Sequence, residues 1–266
     1  TCYMARGGVF GTTVNRGDAP MIPTNGFGDF QVSLALASGI CAALYAREKS
    51  GMGDKITISL HHAAVYALST GIISAQYGNQ YPKNRKEVPN PFNNVFRTKD
   101  GKWLVLCCPE YDRDYEKIMT LLGRKDLIGN EKYIHCAQVN NNLNSEVTDI
   151  LDDTMAKFTR DELMAMFKEH DLACEAAYEP VDIYKDEQAH ANNVLAKIPY
   201  PSGERFMPTN PVNFGSMGHP EYVIGGSQGA HTVEIMKELG YSDSQIEEAI
   251  ASGAATGKTG LRKPGQ

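Results

Sequence analysis

The sequence predicts an α/β protein, and three consecutive segments carry that prediction. A glycine-rich opening over residues 1–28 gives way to a long helix of small residues over 30–49. An alternating β-branched stretch, Lys55-Ile-Thr-Ile-Ser-Leu60, reads as a strand, and 61–75 returns to helical periodicity. Helix, strand and helix in that order is the pattern of helices laid on a sheet.

Composition bounds the class. A chain of 266 residues, 42% hydrophobic and 22% charged, can bury a sizeable core and is not disordered in composition. The net charge is −6 and the basic residues are scattered, which argues against a nucleic-acid partner. The longest apolar-leaning stretch, 32–46, is broken by Ser33, Ser38 and Gly39. It falls short of the roughly 18 apolar residues that cross a bilayer, so a soluble protein with no membrane partner is expected. No signal peptide is visible at Thr1, and residues 1–6 read as the middle of an element, so an N-terminal truncation is expected.

The helix over 30–49 carries Leu34, Ala35, Ile40, Ala42, Ala43 and Leu44 around most of its circumference and is expected to be buried on nearly all sides. Ser50-Gly51-Met52-Gly53 stops it. Residues 76–95, rich in Asn and Pro, read as a linker or an active-site loop. Beyond them Lys99-Asp100-Gly101 marks the turn of a hairpin between 94–97 and 102–107. Helices are expected at about 110–122, 139–157, 159–170 and 182–192, and a strand near 194–198. Two short helices follow at 231–239 and 242–252, then a tail without apolar periodicity over 253–266, expected to be disordered.

The six cysteines form no CxxC pair; Cys41, Cys107 and Cys174 sit in apolar surroundings and read as buried thiols. A disulfide framework would be unusual in a chain of this length, so a reducing, cytoplasmic setting is expected. Seven histidines show no metal-ligand spacing, and His61-His62 reads as a capping and packing pair. There is no G-x-S-x-G elbow, and Gly253-Ala-Ala-Thr-Gly-Lys-Thr259 is one residue short of a phosphate loop.

Asn25-Gly26-Phe27-Gly28-Asp29 is the most informative local feature. Asp29 stands where loop becomes helix, and a helix N-cap is the commoner role for an aspartate there. An ionised carboxylate at a helix N-terminus, with glycines clearing its approach, can also be a nucleophile on an activated acyl group. The two roles are compatible.

The same residues carry a resemblance. Gly28-Asp29, the small-residue helix, Ala43-Leu44-Tyr45-Ala46-Arg47-Glu48-Lys49-Ser50-Gly51-Met52-Gly53-Asp54 and the following Lys55-Ile-Thr-Ile-Ser-Leu60 resemble the core signature of the family III (CaiB/BaiF) CoA-transferases. Thr98-Lys99-Asp100-Gly101-Lys102-Trp103, Glu179-Pro180-Val181, Asp186-Glu187-Gln188 and Gly229-Ala230-His231-Thr232 extend it over most of the chain. Cys2-Tyr3-Met4-Ala5-Arg6-Gly7-Gly8 and Pro109-Glu110-Tyr111-Asp112-Arg113-Asp114-Tyr115 are similar to the 2-hydroxyacyl-CoA and aryl-lactate members.

The resemblance implies transfer of coenzyme A from an acyl-CoA to a carboxylic acid, with Asp29 forming first a mixed anhydride and then an aspartyl-CoA thioester. Gly28 and Phe27 would contact substrate or CoA, which is a substrate and not a resident cofactor, and no metal is implied. It also implies an interlocked homodimer. Residues 1–75 and 200–252 would form a Rossmann-like large domain lacking its N-terminal part, and 90–185 a small α+β domain, with linkers at 76–89 and 186–199. Two features depart from the family: Glu87-Val88-Pro89-Asn90-Pro91 stands near the place of a glycine-rich loop, and the late motif has Ala230 where the family has glutamate. An acyl-CoA racemase of the same fold, or a fragment unable to bind CoA, are the alternatives.

Overall fold

The computed structural model describes residues 2–140, 143–200, 202–218 and 220–257. His219 and the part of the tail beyond residue 257 lie outside the described residues. The chain divides into two units, Thr1–Ala177 and Tyr178–Gln266.

The first unit opens with a short helix, α1 (Cys2–Arg6), and then α2 (Phe27–Ser50), α3 (Leu60–Ala67) and α4 (Ser69–Gln76). Gly51 ends α2 with φ 73°, its N–H returning to the Arg47 carbonyl at 2.8 Å. Ser59 caps α3 by accepting the His62 N–H at 3.1 Å, so His62 does take part in a cap. The single helix expected over 61–75 is interrupted at Leu68, whose N–H bonds three residues back to Val65 at 3.1 Å before α4 resumes.

Two expectations for this region are corrected. Helix α2 is not buried on nearly all sides: Phe30 is 75% exposed, Leu34 52% and Tyr45 67%, and Gly28 is its one buried residue. Small and apolar residues permit close packing but do not supply a neighbour, and α2 meets α3 and the segment before α3 on only part of its surface. The segment expected as a strand at 55–60 pairs with no strand among the described residues; Ser59 at its end has extended backbone angles, and Leu60 already belongs to α3. Alternation defines two faces of an extended chain, whereas a strand also needs a ladder partner. Ile56 lies instead against α2, where a Cβ on Gly39 would sit 3.3 Å from its Cγ2. By length and composition α2 is also apolar enough to cross a bilayer, which counting unbroken apolar runs overlooks; core helices meet the same criterion.

The hydrophobic core sits in the second half of this unit. Strands β1 (Asn93–Arg97) and β2 (Trp103–Cys107) pair antiparallel with Phe96 opposite Leu104 and Asn94 opposite Leu106, as the hairpin reading expects. A third strand, β3 (Cys174–Ala176), joins the β2 edge, where none is expected from the sequence. Helices α5 (Tyr111–Leu121), α6 (Cys136–Asn140), α7 (Asn144–Met155) and α8 (Arg160–Glu169) complete this half. Phe92, Phe96, Leu104, Leu106, Ile118 and Leu163 are fully buried in one cluster. A capping box starts α8, with Thr159 Oγ1 accepting the Glu162 N–H while the Glu162 carboxylate accepts the Thr159 N–H.

The hairpin turn is locked by its own side chains. The Thr98 hydroxyl donates to Asp100 Oδ1 at 2.6 Å, and the Arg160 N–H donates to the same oxygen at 3.1 Å. The Thr98 bond, helped by the Arg160 N–H, takes the Asp100 carboxyl from 3.8 down to about 2. A depressed carboxyl stabilises the folded form above its unfolded value, and that contribution is lost as pH falls from 3.8 through about 2. A carboxyl-carbon NMR titration is expected to place the Asp100 midpoint near 2, and Thr98→Val to move it up towards 3.8. A midpoint unmoved by Thr98→Val would contradict this cause.

Residues 82–87 are held from two directions. Arg16 reaches the Pro82 carbonyl at 3.1 Å and Glu87 Oε2 at 2.8 Å. On the other side Arg85 pairs with Asp152, and Lys86 with Asp149 at 2.5 Å. Burial pushes the Asp152 carboxyl up in spite of Arg85 beside it.

The second unit holds α9 (Pro180–Ile183), α10 (Glu187–Ala191), the hairpin β4 (Leu195–Tyr200) with β5 (Gly203–Pro208), α11 (Thr232–Glu238) and α12 (Asp243–Ala251). The helix expected over 182–192 is two short ones, because Glu179 and Asp182 cap the first and Asp186 caps the second.

Candidate active site

Helix α2 begins two residues before Asp29, so the N-cap reading is corrected. Gly26 is the cap, with φ 82°, and Asp29 is the third residue of the first turn. It caps nothing with its side chain. The unpaired N–H groups and the helix dipole at that turn still favour a carboxylate anion. Asp29 and Phe27 are exposed, whereas Gly28 between them is buried.

Gly28 is buried because α1 crosses it. A Cβ there would collide with the Tyr3 hydroxyl and stand 2.9 Å from Met4 Sδ, so only glycine admits this approach. Gly7 does the same on the other side of α1: a Cβ would come 2.8 Å from the Ala64 Cβ on α3. Two glycines thus set α1 between α2 and α3. The consequence is a hydrogen bond from the Tyr3 hydroxyl to Asp29 Oδ1 at 2.9 Å. Burial first, and Asp29 second, push the Tyr3 phenol above its ordinary value, so it remains a donor at neutral pH. No hydrogen bond to Oδ2 is found among the described residues.

Gly28→Ala is expected to cost about 1–3 kcal/mol by overpacking and to displace the Tyr3 hydroxyl from Asp29. A thermal melt and the activity of the same preparation check it, and wild-type values of both would contradict the close approach.

Sequence reasoning singled out Asp29, Gly28 and Phe27 and missed Tyr3. The two polar residues lie 26 positions apart on different helices, and no spacing rule joins them. The usable signal was the glycine beside Asp29, which announces that something must come close. An apolar cleft of about 660 Å³ also opens in this unit, lined by Leu34, Gly39, Ile56, His62 and Tyr66 among others. Tyr3, Phe27, Gly28 and Asp29 are not part of its wall.

The thiols differ from expectation. Cys41 and Cys107 are exposed and Cys174 is half-buried, while Cys108 is the buried one. Cys107 and Cys108 point oppositely because β2 alternates, with Leu104 and Leu106 inward. Burial pushes the Cys108 thiol up to about 11, which keeps it protonated and inert. Among the described residues no group of three or more His, Cys, Asp or Glu side chains could hold a metal ion.

Two other motif positions have visible local roles. Glu179-Pro180 opens α9 with proline in its first turn. Gly229, at φ 77°, leaves no room for a Cβ against the Thr256 and Gly257 carbonyls. Within the Gly-Asp pair, by contrast, the aspartate faces open space.

The CoA-transferase family III model matches residues 1–222, and the chain belongs to that family. It is 41% identical over 252 residues to cinnamoyl-CoA:phenyllactate CoA-transferase from Clostridium sporogenes, covering 93% of this chain and 61% of the relative. It is 36% identical over 247 residues to (R)-2-hydroxy-4-methylpentanoate CoA-transferase from Clostridioides difficile, covering 92% and 62%. The chain therefore spans about three fifths of the length of these relatives. Among solved structures, a CaiB/BaiF family protein from Brucella suis superposes with a TM-score of 0.73 at 21% identity, over 89% of this chain and 61% of that one. The fold is that of family III.

Proposed function

We propose that this protein transfers coenzyme A from an acyl-CoA to a carboxylic acid, with Asp29 as the nucleophile. The observation that carries the reading is the state of Asp29: exposed at a helix N-terminus, with Oδ1 engaged by Tyr3 and Oδ2 without a partner among the described residues. Oδ2 attacks the thioester carbonyl and expels CoA thiolate, leaving a mixed anhydride. The thiolate then attacks the aspartyl Cγ and expels the donor acid, leaving an aspartyl-CoA thioester. The acceptor carboxylate reverses both steps and departs as its CoA ester. Exchanging one activated acyl group for another conserves the thioester energy, provided water is kept out.

The substrate pair is drawn from aryl-substituted and 2-hydroxy acids, a choice supported by the two relatives named above. The proposed working unit is an interlocked homodimer, a reading supported by the family resemblance, in the reducing, cytoplasmic setting favoured by the cysteine pattern, with CoA entering as substrate. Phe27, 48% exposed beside the carboxylate, lines its approach in this reading, whereas Gly28 is covered by α1 and serves by admitting Tyr3.

The test uses the natural full-length protein, cinnamoyl-CoA as donor and hydroxylamine as trap. Peptide mass spectrometry is expected to find the hydroxamate at Asp29. No adduct at Asp29 in a preparation that transfers CoA would overturn the reading. Exchange of the α-proton of 2-methylacyl-CoA in deuterated water, without transfer, would select a racemase instead.

A further inference from the structure

We propose that Tyr3 is a catalytic residue of this reaction, its hydroxyl donating to the oxyanion that forms on Asp29 Oδ1 whenever the acylated aspartate is attacked at Cγ. The inference rests on the reading of Asp29 as nucleophile and adds the group that resolves its adducts.

The two carboxylate oxygens are not equivalent. Oδ1 accepts the Tyr3 hydroxyl at 2.9 Å, and no hydrogen bond to Oδ2 is found among the described residues. Oδ2 is therefore the free nucleophile and becomes the bridging oxygen of the anhydride. Oδ1 stays as the aspartyl carbonyl oxygen, still under the Tyr3 donor. When CoA thiolate attacks Cγ, the sulfur–carbon bond forms and the carbonyl electron pair moves onto Oδ1. Collapse breaks the Cγ–Oδ2 bond, and the donor acid leaves with Oδ2. When the acceptor carboxylate later attacks the aspartyl thioester, the pair returns to Oδ1 and the carbon–sulfur bond breaks. No proton is transferred in either step.

A donor placed there acts differentially. The carbonyl oxygen of an anhydride or thioester is a weak acceptor, whereas the tetrahedral oxyanion is a strong one, so the bond tightens in the transition state. The position of Tyr3 is over-determined for that role. Its helix is seated by Gly7 against Ala64 and by Gly28 against Tyr3 and Met4, neither of which tolerates a Cβ. Tyr3 is half-buried and Met4 beside it is buried, so the hydroxyl is aimed and not free to swing.

The experiment follows the resolving step directly. The aspartyl-CoA thioester is formed on the natural full-length protein with cinnamoyl-CoA and freed of excess reagent. Phenyllactate is then added and the decay of the thioester is timed. Tyr3→Phe, which deletes only the hydroxyl, is expected to slow that decay about 10²- to 10³-fold. 3-Fluorotyrosine at position 3 keeps the shape and strengthens the donor, and is expected to resolve the thioester at least as fast as tyrosine. Decay at the wild-type rate in Tyr3→Phe would overturn the proposal and leave the reading of Asp29 standing. So would a fluorotyrosine protein as slow as Tyr3→Phe, because a packing role does not follow donor strength. If no thioester forms on Asp29 in the unaltered protein, the reading of Asp29 fails and the role of Tyr3 falls with it.

Discussion

Asp29→Asn is expected to abolish CoA transfer, with kcat falling on the order of 10⁴-fold or more. The substitution separates chemistry from packing. The amide keeps the size of the carboxylate, and its oxygen still accepts the Tyr3 hydroxyl bond at 2.9 Å. What it lacks is a nucleophilic oxygen in place of Oδ2. Asp29→Glu keeps the charge but carries it one methylene further from α2. A displacement of about 1 Å at a reacting atom is worth about 10²-fold, so this variant is expected to retain measurable transfer. Steady-state kinetics with cinnamoyl-CoA and phenyllactate check both, together with a melting curve to show that each protein is folded. An Asp29→Asn protein within tenfold of wild type would remove Asp29 from the mechanism.

Phe92→Ala is expected to destabilise the core half of the first unit by about 3–5 kcal/mol. Phe92 is fully buried and stacks on Tyr111, ring centroids 4.3 Å apart and planes inclined by 21°. Its carbonyl also accepts the Cys108 N–H at 3.1 Å, so the ring anchors the entrance of β1 to the exit of β2. Tyr111 in turn donates to the Tyr133 carbonyl at 2.8 Å, which ties the same stack to the segment before α6. Truncation leaves a ring-sized cavity among aromatic neighbours that cannot collapse onto it. The loss is a large part of the about 5–15 kcal/mol typical of a folded domain. Trp103 is the only tryptophan and lies on β2, so its fluorescence during urea denaturation reports this half of the chain. A midpoint unchanged by Phe92→Ala would mean that the aromatic stack is not part of the cooperative core.

The parts of the fold legible in the sequence are those with local causes. The hairpin around Lys99-Asp100-Gly101 appears where expected because a turn residue at φ 76° and two period-2 runs are sufficient to specify it. Helices α5, α7 and α8 follow their apolar periodicity and α8 its capping box. The thiols show a finer signal left unused: Leu104, Leu106 and Cys108 share one parity, and Cys107 the other. Parity alone marks Cys108 as the buried one, whereas local apolar surroundings marked Cys107. The 55–60 segment and α2 fail for the opposite reason. Alternation and an apolar circumference are properties of the segment, but pairing and burial belong to its neighbours.

The sequence by itself determined the family, through an ordered set of motifs around Gly28-Asp29, and it determined which residue is the candidate nucleophile. Those are matters of residue type and order along the chain. Only the tertiary structure decided that Asp29 lies inside the first turn instead of capping it, and that Gly28 is small so that α1 can cross it. Only the tertiary structure paired Tyr3 with Oδ1, so that the two oxygens of one carboxylate have different surroundings. A hydrogen bond between residues 26 positions apart depends on where two helices cross. Here that crossing is set by the missing side chains of two glycines.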